Sequence, residues 1–218
     1  MVNRKRRRAS NGSPTEEHLD IPNELKQFLV LNENLEDPLQ NELISQHTHL
    51  LNGEIGDENI ARATQWIIAE NLRPLLPNEK RVLTLYINSV GGDLYQTFAL
   101  VDLMHISKYP IRTIGIGNVM SAATLILACG QRGERYIGKH TGIMMHQFSS
   151  GLEGKEHELR AGMKELEFCR KRIHSLLTNY CKISERVVTK QLLQPSDAWV
   201  TAEEAVKLKL ADKIFTHF

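Results

Sequence analysis

The sequence predicts an α/β fold built on a mostly parallel sheet, and three observations carry that expectation. Short β-branched runs alternate with longer stretches whose apolar residues recur at helical spacing. The runs are nearly all apolar, as expected for strands covered on both faces. Gly, Asn and Pro stand at the junctions, where the chain has to turn.

Residues 1–20 combine the basic run Arg4 to Arg8 with Ala9-Ser10-Asn11-Gly12-Ser13-Pro14 and hold almost nothing that could be buried. They are expected to form a flexible basic tail or a removable propeptide, leaving 21–218 as one domain. Apolar clusters at Glu24–Leu31 and Leu39–Leu51 follow, and the second ends at Asn52-Gly53, which predicts a strand and a turn leading into a helix. Asp57 is placed to cap that helix, whose apolar positions are Ile60, Ala63 or Thr64, Ile67 and Ile68 and which ends before Pro74. A buried-type strand is expected from Val82 to Ile87, broken by Asn88-Ser89-Val90-Gly91-Gly92-Asp93. A helix over Leu94–Ile106, a strand over Ile111–Gly117 and a short helix over Ser121–Cys129 come next. Arg135–Ile137 and Gly142–Met145 read as short strands. A long helical segment from Lys155 to Tyr180 has its seam on Leu159, Met163, Leu166, Ile173, Leu177 and Tyr180. The final helix, Ala202–Leu208, has Thr201 as its N-cap.

Composition narrows the function classes. In a chain of 218 residues, 41% hydrophobic and 24% charged content excludes general disorder. Three cysteines are an odd number for a disulfide scaffold, and no apolar leader precedes them, so free thiols in the cytoplasm are expected. The longest apolar run, Ala122–Cys129, is too short to cross a bilayer. A net charge of +1 argues against a broad nucleic-acid-binding face.

Parallel sheets present reactive groups at the carboxyl ends of their strands, which directs attention to the loops after Ile87 and Gly117. Gly91-Gly92 lacks Cβ atoms, so its amides could approach a site closely as oxyanion donors. Ser121 opens a helix, where orphan N–H groups would favour a nucleophile. Each signal alone is equally a turn or an N-cap. A serine hydroxyl needs a base and a group to orient that base. Of nine histidines, only His146 ends a buried-type strand at the edge where these loops should converge. Among the acids, Asp197 stands out beside Trp199, an aromatic able to exclude water, although an ordinary turn is the plainer reading.

Four ordered blocks then carry a family resemblance: L-Y-I-N-S-V-G-G-D, G-N-V-M-S-A-A-T-L-I-L-A-C-G, M-M-H-Q and S-D-A-W-V-T-A-E-E-A-V-K-L-K-L-A-D-K-I. From about Leu51 to Ile214 the chain resembles the proteolytic subunit of the ATP-dependent Clp serine protease. The resemblance implies a crotonase-like fold of repeated ββα units, with the helix over Lys155–Tyr180 as a projecting handle. It implies Ser121 as nucleophile, His146 as general base and Asp197 as the residue orienting it. It further implies oxyanion donors on the backbone N–H groups of Gly91, with Gly92 shaping the turn, and of Ala122. The implied activity is endopeptidase cleavage of unfolded proteins to short peptides, with no metal and no cofactor on this chain. No G-x-x-x-x-G-K-[ST] motif is present, so ATP use falls to a partner. The implied partners are further copies in two stacked heptameric rings and a hexameric AAA+ ATPase.

Several positions depart from the family pattern. Val90 stands in place of the usual Pro, Phe148 replaces another Pro, and Ser149-Ser150-Gly151 replaces a glycine-rich segment that pairs with substrate. Pro195-Ser196 replaces an acid and an arginine that couple ring stacking to activation, and the N-terminal region lacks the segment that forms axial loops. These changes keep two alternatives open: a weakly active or structural subunit of a mixed ring, and a stand-alone processing protease of viral or cellular origin.

Overall fold

A computed structural model describes residues 38–217. The basic tail and the cluster Glu24–Leu31 lie outside these residues. The span Leu39–Leu51 divides into a helix, α1 (Pro38–Ser45), and a strand, β1 (Thr48–Asn52), so only its second half is extended as expected. His47 takes a left-handed φ of 53° at the break, which separates the two elements. Helix α2 (Asp57–Leu72) follows. Its N-cap is Gly56 and not Asp57, which forms the first helical residue. The orphan amide of Gly56 donates to Asn59 Oδ1 at 3.0 Å, so the first turn is closed by Asn59. Ile60, Ala63 and Ile67 are buried, whereas Ile68 faces outward.

Strand β2 (Leu83–Ser89) leads to α3 (Leu94–Ile106), whose bounds agree with the sequence reading. Asp93 caps it by accepting the Gln96 N–H at 2.8 Å. Strand β2 is fully covered on one face only. Leu83, Leu85, Ile87 and Ser89 are buried, while Thr84, Tyr86 and Asn88 on the other face are half-buried, which corrects the expectation of two covered faces. Strand β3 (Ile111–Met120) runs directly into α4 (Ala122–Ala128), a helix buried along its whole length against β2 and β3. Strands β4 (Arg135–Gly138) and β5 (Gly142–Met145) precede the long helix α5 (Glu156–Ser175), which continues through a π-helical turn, Leu176–Tyr180. A short helix α6 (Glu185–Val187) with a second π turn, then β6 (Ala198–Val200), α7 (Ala202–Lys207) and β7 (Lys213–Phe215), complete the described chain.

The main sheet has the order β1-β2-β3-β4-β7, and every pairing in it is parallel. Strand β3 belongs to two sheets of pairing at once. Thr113–Gly115 pairs with β4, but Asn118–Met120 turns away and pairs with β5, which pairs antiparallel with β6. A register shift between Ile87 and Ser89 makes this fork. It is filled by the Asn88 side chain, which accepts the Asn118 N–H at 3.0 Å and donates to Asn52 Oδ1 at 2.7 Å. Gly117, at φ 59°, passes so close to Asn88 Oδ1 that a Cβ would collide with it.

Helix α5 buries only Cys169 and Ile173. Met163 is 66% exposed and Phe168 51%, while Leu159 and Leu166 are half-buried, so part of its apolar surface finds no cover within the described residues.

Candidate active site

The arm made by the end of β3, β5 and β6 gathers three of the expected residues. Ser121 follows β3, His146 follows β5, and Asp197 precedes β6. Because β5 and β6 are antiparallel, with Met145 opposite Ala198, the start of β6 is carried to the end of β5. Residues 76 positions apart or fewer thus meet at one edge.

Ser121 occupies a strained left-handed conformation, φ 51° and ψ −122°, between strand and helix. Such a turn lifts its hydroxyl off both elements. Its backbone N–H donates to Met144 O on β5 at 2.7 Å. Thr124, buried in α4, donates its hydroxyl to Val119 O at 2.9 Å and to Met144 O at 3.2 Å. Both strands are therefore pinned to the serine turn. Opposite it, Gly91 lies so near that a Cβ there would sit 2.7 Å from Ser121 Cβ and 2.8 Å from Met120 O.

His146 Nε2 lies 2.8 Å from Ser121 Oγ. With its proton on Nδ1, the imidazole accepts the serine O–H, and Nδ1 then points toward acid. That acid is Asp197, whose Oδ1 is 4.0 Å from Nδ1, beyond hydrogen-bond length. The Asp197 side chain is 55% exposed, and Trp199 is 60% exposed, so the aromatic does not shield the pair as expected. The serine–histidine end is tight and the histidine–aspartate end is loose.

The N–H groups of the two glycines are engaged differently. The Gly91 N–H is already engaged by the Ser89 hydroxyl at 3.1 Å, and Gly91 is buried. Gly92 lines the cavity with Ser121 and His146, and its N–H and that of Ala122 have no partner among the described residues. A Cβ on Gly92 would collide with the Ile55 carbonyl, so this amide too depends on glycine. Sequence reasoning missed Ser89, Thr124 and Asn88, whose roles lie in hydrogen bonds across strands. The Asn and Ser within L-Y-I-N-S-V-G-G-D were in view but carried no periodic signal.

Among the described residues no cluster of His, Cys, Asp and Glu has the arrangement to hold a metal ion. No helix among them is long and apolar enough to cross a membrane.

A serine on a strained strand-to-helix turn, in hydrogen-bond contact with a histidine and beside unpaired amides, is the arrangement of a serine hydrolase on an α/β scaffold. Comparison with known proteins narrows the class. The family model for Clp protease matches residues 31–218. The chain is 33% identical to an ATP-dependent Clp protease proteolytic subunit 2 of Treponema denticola over 184 residues, covering 83% of this chain and 88% of the relative. It is 31% identical to the subunit of the same name from Thermobifida fusca over 175 residues, covering 80% and 83%. A third, from Nocardia farcinica, is 29% identical over 184 residues. The chain belongs to the Clp protease family and is a serine endopeptidase, a Clp-type proteolytic subunit. Membership implies oligomeric assembly and association with Clp ATPases.

Proposed function

We propose that Ser121 is the nucleophile of this peptidase, His146 its general base and acid, and Asp197 the group that orients the imidazole. The observation that carries the reading is the 2.8 Å contact from Ser121 Oγ to His146 Nε2 beside two unpaired amides. In the reaction, Ser121 Oγ attacks a peptide carbonyl as its proton passes to Nε2. The carbonyl oxygen becomes an oxyanion, which accepts hydrogen bonds from the N–H groups of Gly92 and Ala122. Gly91, its own N–H held by Ser89, shapes the turn. His146 then returns the proton to the leaving nitrogen, and the C–N bond breaks. Water, deprotonated by the same imidazole, attacks the acyl-enzyme and releases the acid product. This chemistry calls on no cofactor of the chain's own. The test is labelling by a fluorophosphonate: modification of Ser121, absent in Ser121→Ala and His146→Ala, is expected, and labelling elsewhere would overturn the assignment.

The finer assembly we infer is two stacked heptameric rings in the cytoplasm, fed with unfolded polypeptide by a hexameric AAA+ ATPase. The uncovered seam of α5, with Met163 and Phe168 exposed, supports pairing of these helices between copies. A mass of about fourteen chains for the purified particle is expected. A second reading, a weakly active subunit of a mixed ring, is favoured by the 4.0 Å gap to Asp197. Peptide hydrolysis by the particle purified without other subunits excludes it.

A further inference from the structure

The cavity beside Ser121 and His146, about 400 Å³, has walls of two kinds. Leu94, Phe148, Leu166 and Cys169 supply apolar surface, while Glu165 of α5 and Tyr95 of α3 supply a polar pair. The Tyr95 hydroxyl donates to Glu165 Oε1 at 2.8 Å. Glu165 and Cys169 together push the Tyr95 phenol up to about 12, so it stays protonated and keeps one carboxylate oxygen occupied. Glu165 makes no ion pair with any Lys or Arg among the described residues, and no Lys or Arg lines the cavity. Asp93, the other carboxylate of the lining, is committed to capping α3. Arg172 lies against the rings of Tyr95 and Phe98, at 6.0 and 5.4 Å.

A peptide whose carbonyl is attacked by Ser121 carries its nearest side chain on the carbon bonded directly to that carbonyl. The side chain on the leaving-group side is one bond further away. The acyl-side residue is therefore the one delivered into this cavity. Apolar walls beside a carboxylate that no cation of the lining neutralises match a side chain with a methylene stem and a cationic head. We propose that the peptidase selects lysine or arginine on the acyl side of the scissile bond, with Glu165, steadied by Tyr95, as the specificity-determining residue. The proposal rests on Ser121 and His146 being the reacting pair.

The test uses assembled full-length protein and fluorogenic peptides that differ only in lysine or norleucine at the acyl-side position. Norleucine keeps the stem and removes the charge. A kcat/KM ratio for lysine over norleucine of at least about fivefold is expected, falling as salt is raised. Glu165→Gln is expected to bring it to near unity, and Tyr95→Phe to lower it part of the way. A wild-type ratio of one or less, or a ratio unmoved by Glu165→Gln, overturns the proposal. Binding of the same peptides to Ser121→Ala, followed by fluorescence anisotropy, reads the preference without turnover. A lysine preference there in a protein whose wild type cleaves neither peptide keeps this subsite and sinks the catalytic assignment; cleavage without preference does the reverse.

Discussion

The arm of β3, β5 and β6 and the main five-stranded sheet are held together by different physics. The main sheet rests on burial: Leu83, Leu85, Ile87, Leu125, Ile126 and Ile137 lose their surface to it, and its buried polar groups are few and mostly paired, Trp66 Nε1 having no partner among the described residues. Arg135, for example, is buried with Asp212 at 2.6 Å. The arm shares in that burial through Val119, Ile143 and Met145, but its turns rest on backbone geometry: a left-handed serine, glycines with no room for Cβ, and amides fixed by Ser89 and Met144. The difference teaches that activity and stability are separately vulnerable in this molecule. Substitutions in the arm should silence the enzyme while leaving it folded, and substitutions in the sheet should do the opposite.

The sharpest way to break that contrast is at Ser121. Ser121→Ala removes the proposed nucleophile, and a loss of at least about a thousandfold in kcat is expected, with a melting temperature equal to or above that of the wild type. Relief of the left-handed strain is shared by neither residue, so no large stabilisation should follow. Unfolding of Ser121→Ala under conditions where the wild type is folded would show that the arm is part of the core. Next in size is Gly91→Ala. A Cβ 2.7 Å from Ser121 Cβ, added at φ 95°, must shift the serine turn. A displacement of about 1 Å at a reacting group costs about a hundredfold in rate, so kcat should fall by that much with KM less affected. Retention of full turnover would mean that the turn is softer than its hydrogen bonds indicate.

The sheet makes the converse prediction, close in energy to that at Gly91. His49 on β1 is buried and stacked on Trp66 at 5.3 Å between ring centroids. Burial, with Arg62 adding repulsion, lowers its pKa from 6.5 to about 4. Between these values the unfolded chain binds a proton that the folded one refuses, so stability is full above pH 6.5 and falls as pH drops toward 4. The shift corresponds to about 3 kcal/mol. Urea titrations of wild type and His49→Phe across this range should show the slope in the first and its loss in the second. Peptidase activity of His49→Phe at neutral pH should be unchanged.

The same division explains what could be read in the sequence. Elements of the main sheet follow hydrophobic period, so β2, α3 and the ends of α2 and α5 were legible from spacing alone. Ser121 was legible because it opens a helix after a strand, and His146 because it ends a buried-type strand. The partner of the Gly91 N–H was not, since it is one hydroxyl, Ser89, two residues away. The fork in β3 was equally hidden: it depends on Asn88 reaching thirty residues along the chain to Asn118, a contact without periodic signature. Trp199 was expected to shield Asp197 because aromatics usually exclude water, yet β6 is three residues long and turns it outward.

Asp197 is where the comparison can be made finest, because it belongs to the arm yet is not fixed by it. Its carboxylate is 4.0 Å from His146 Nδ1 and mostly exposed, and Pro195-Ser196 before it makes no hydrogen bond among the described residues. An orienting acid at that distance in water contributes weakly, because exposed charge pairs are screened and mobile. Asp197→Asn should therefore lower kcat by about tenfold in unassembled chains, far less than Ser121→Ala. If neighbouring copies press this loop onto His146, the gap closes to hydrogen-bond length in the particle, and the same substitution there should cost a further factor of about ten or more. Measuring the ratio of wild-type to Asp197→Asn activity against protein concentration separates the two cases. A ratio that rises as the particle forms locates the last adjustment of the site in assembly. A ratio that is already large in single chains places it, with Ser121 and His146, inside the fold itself.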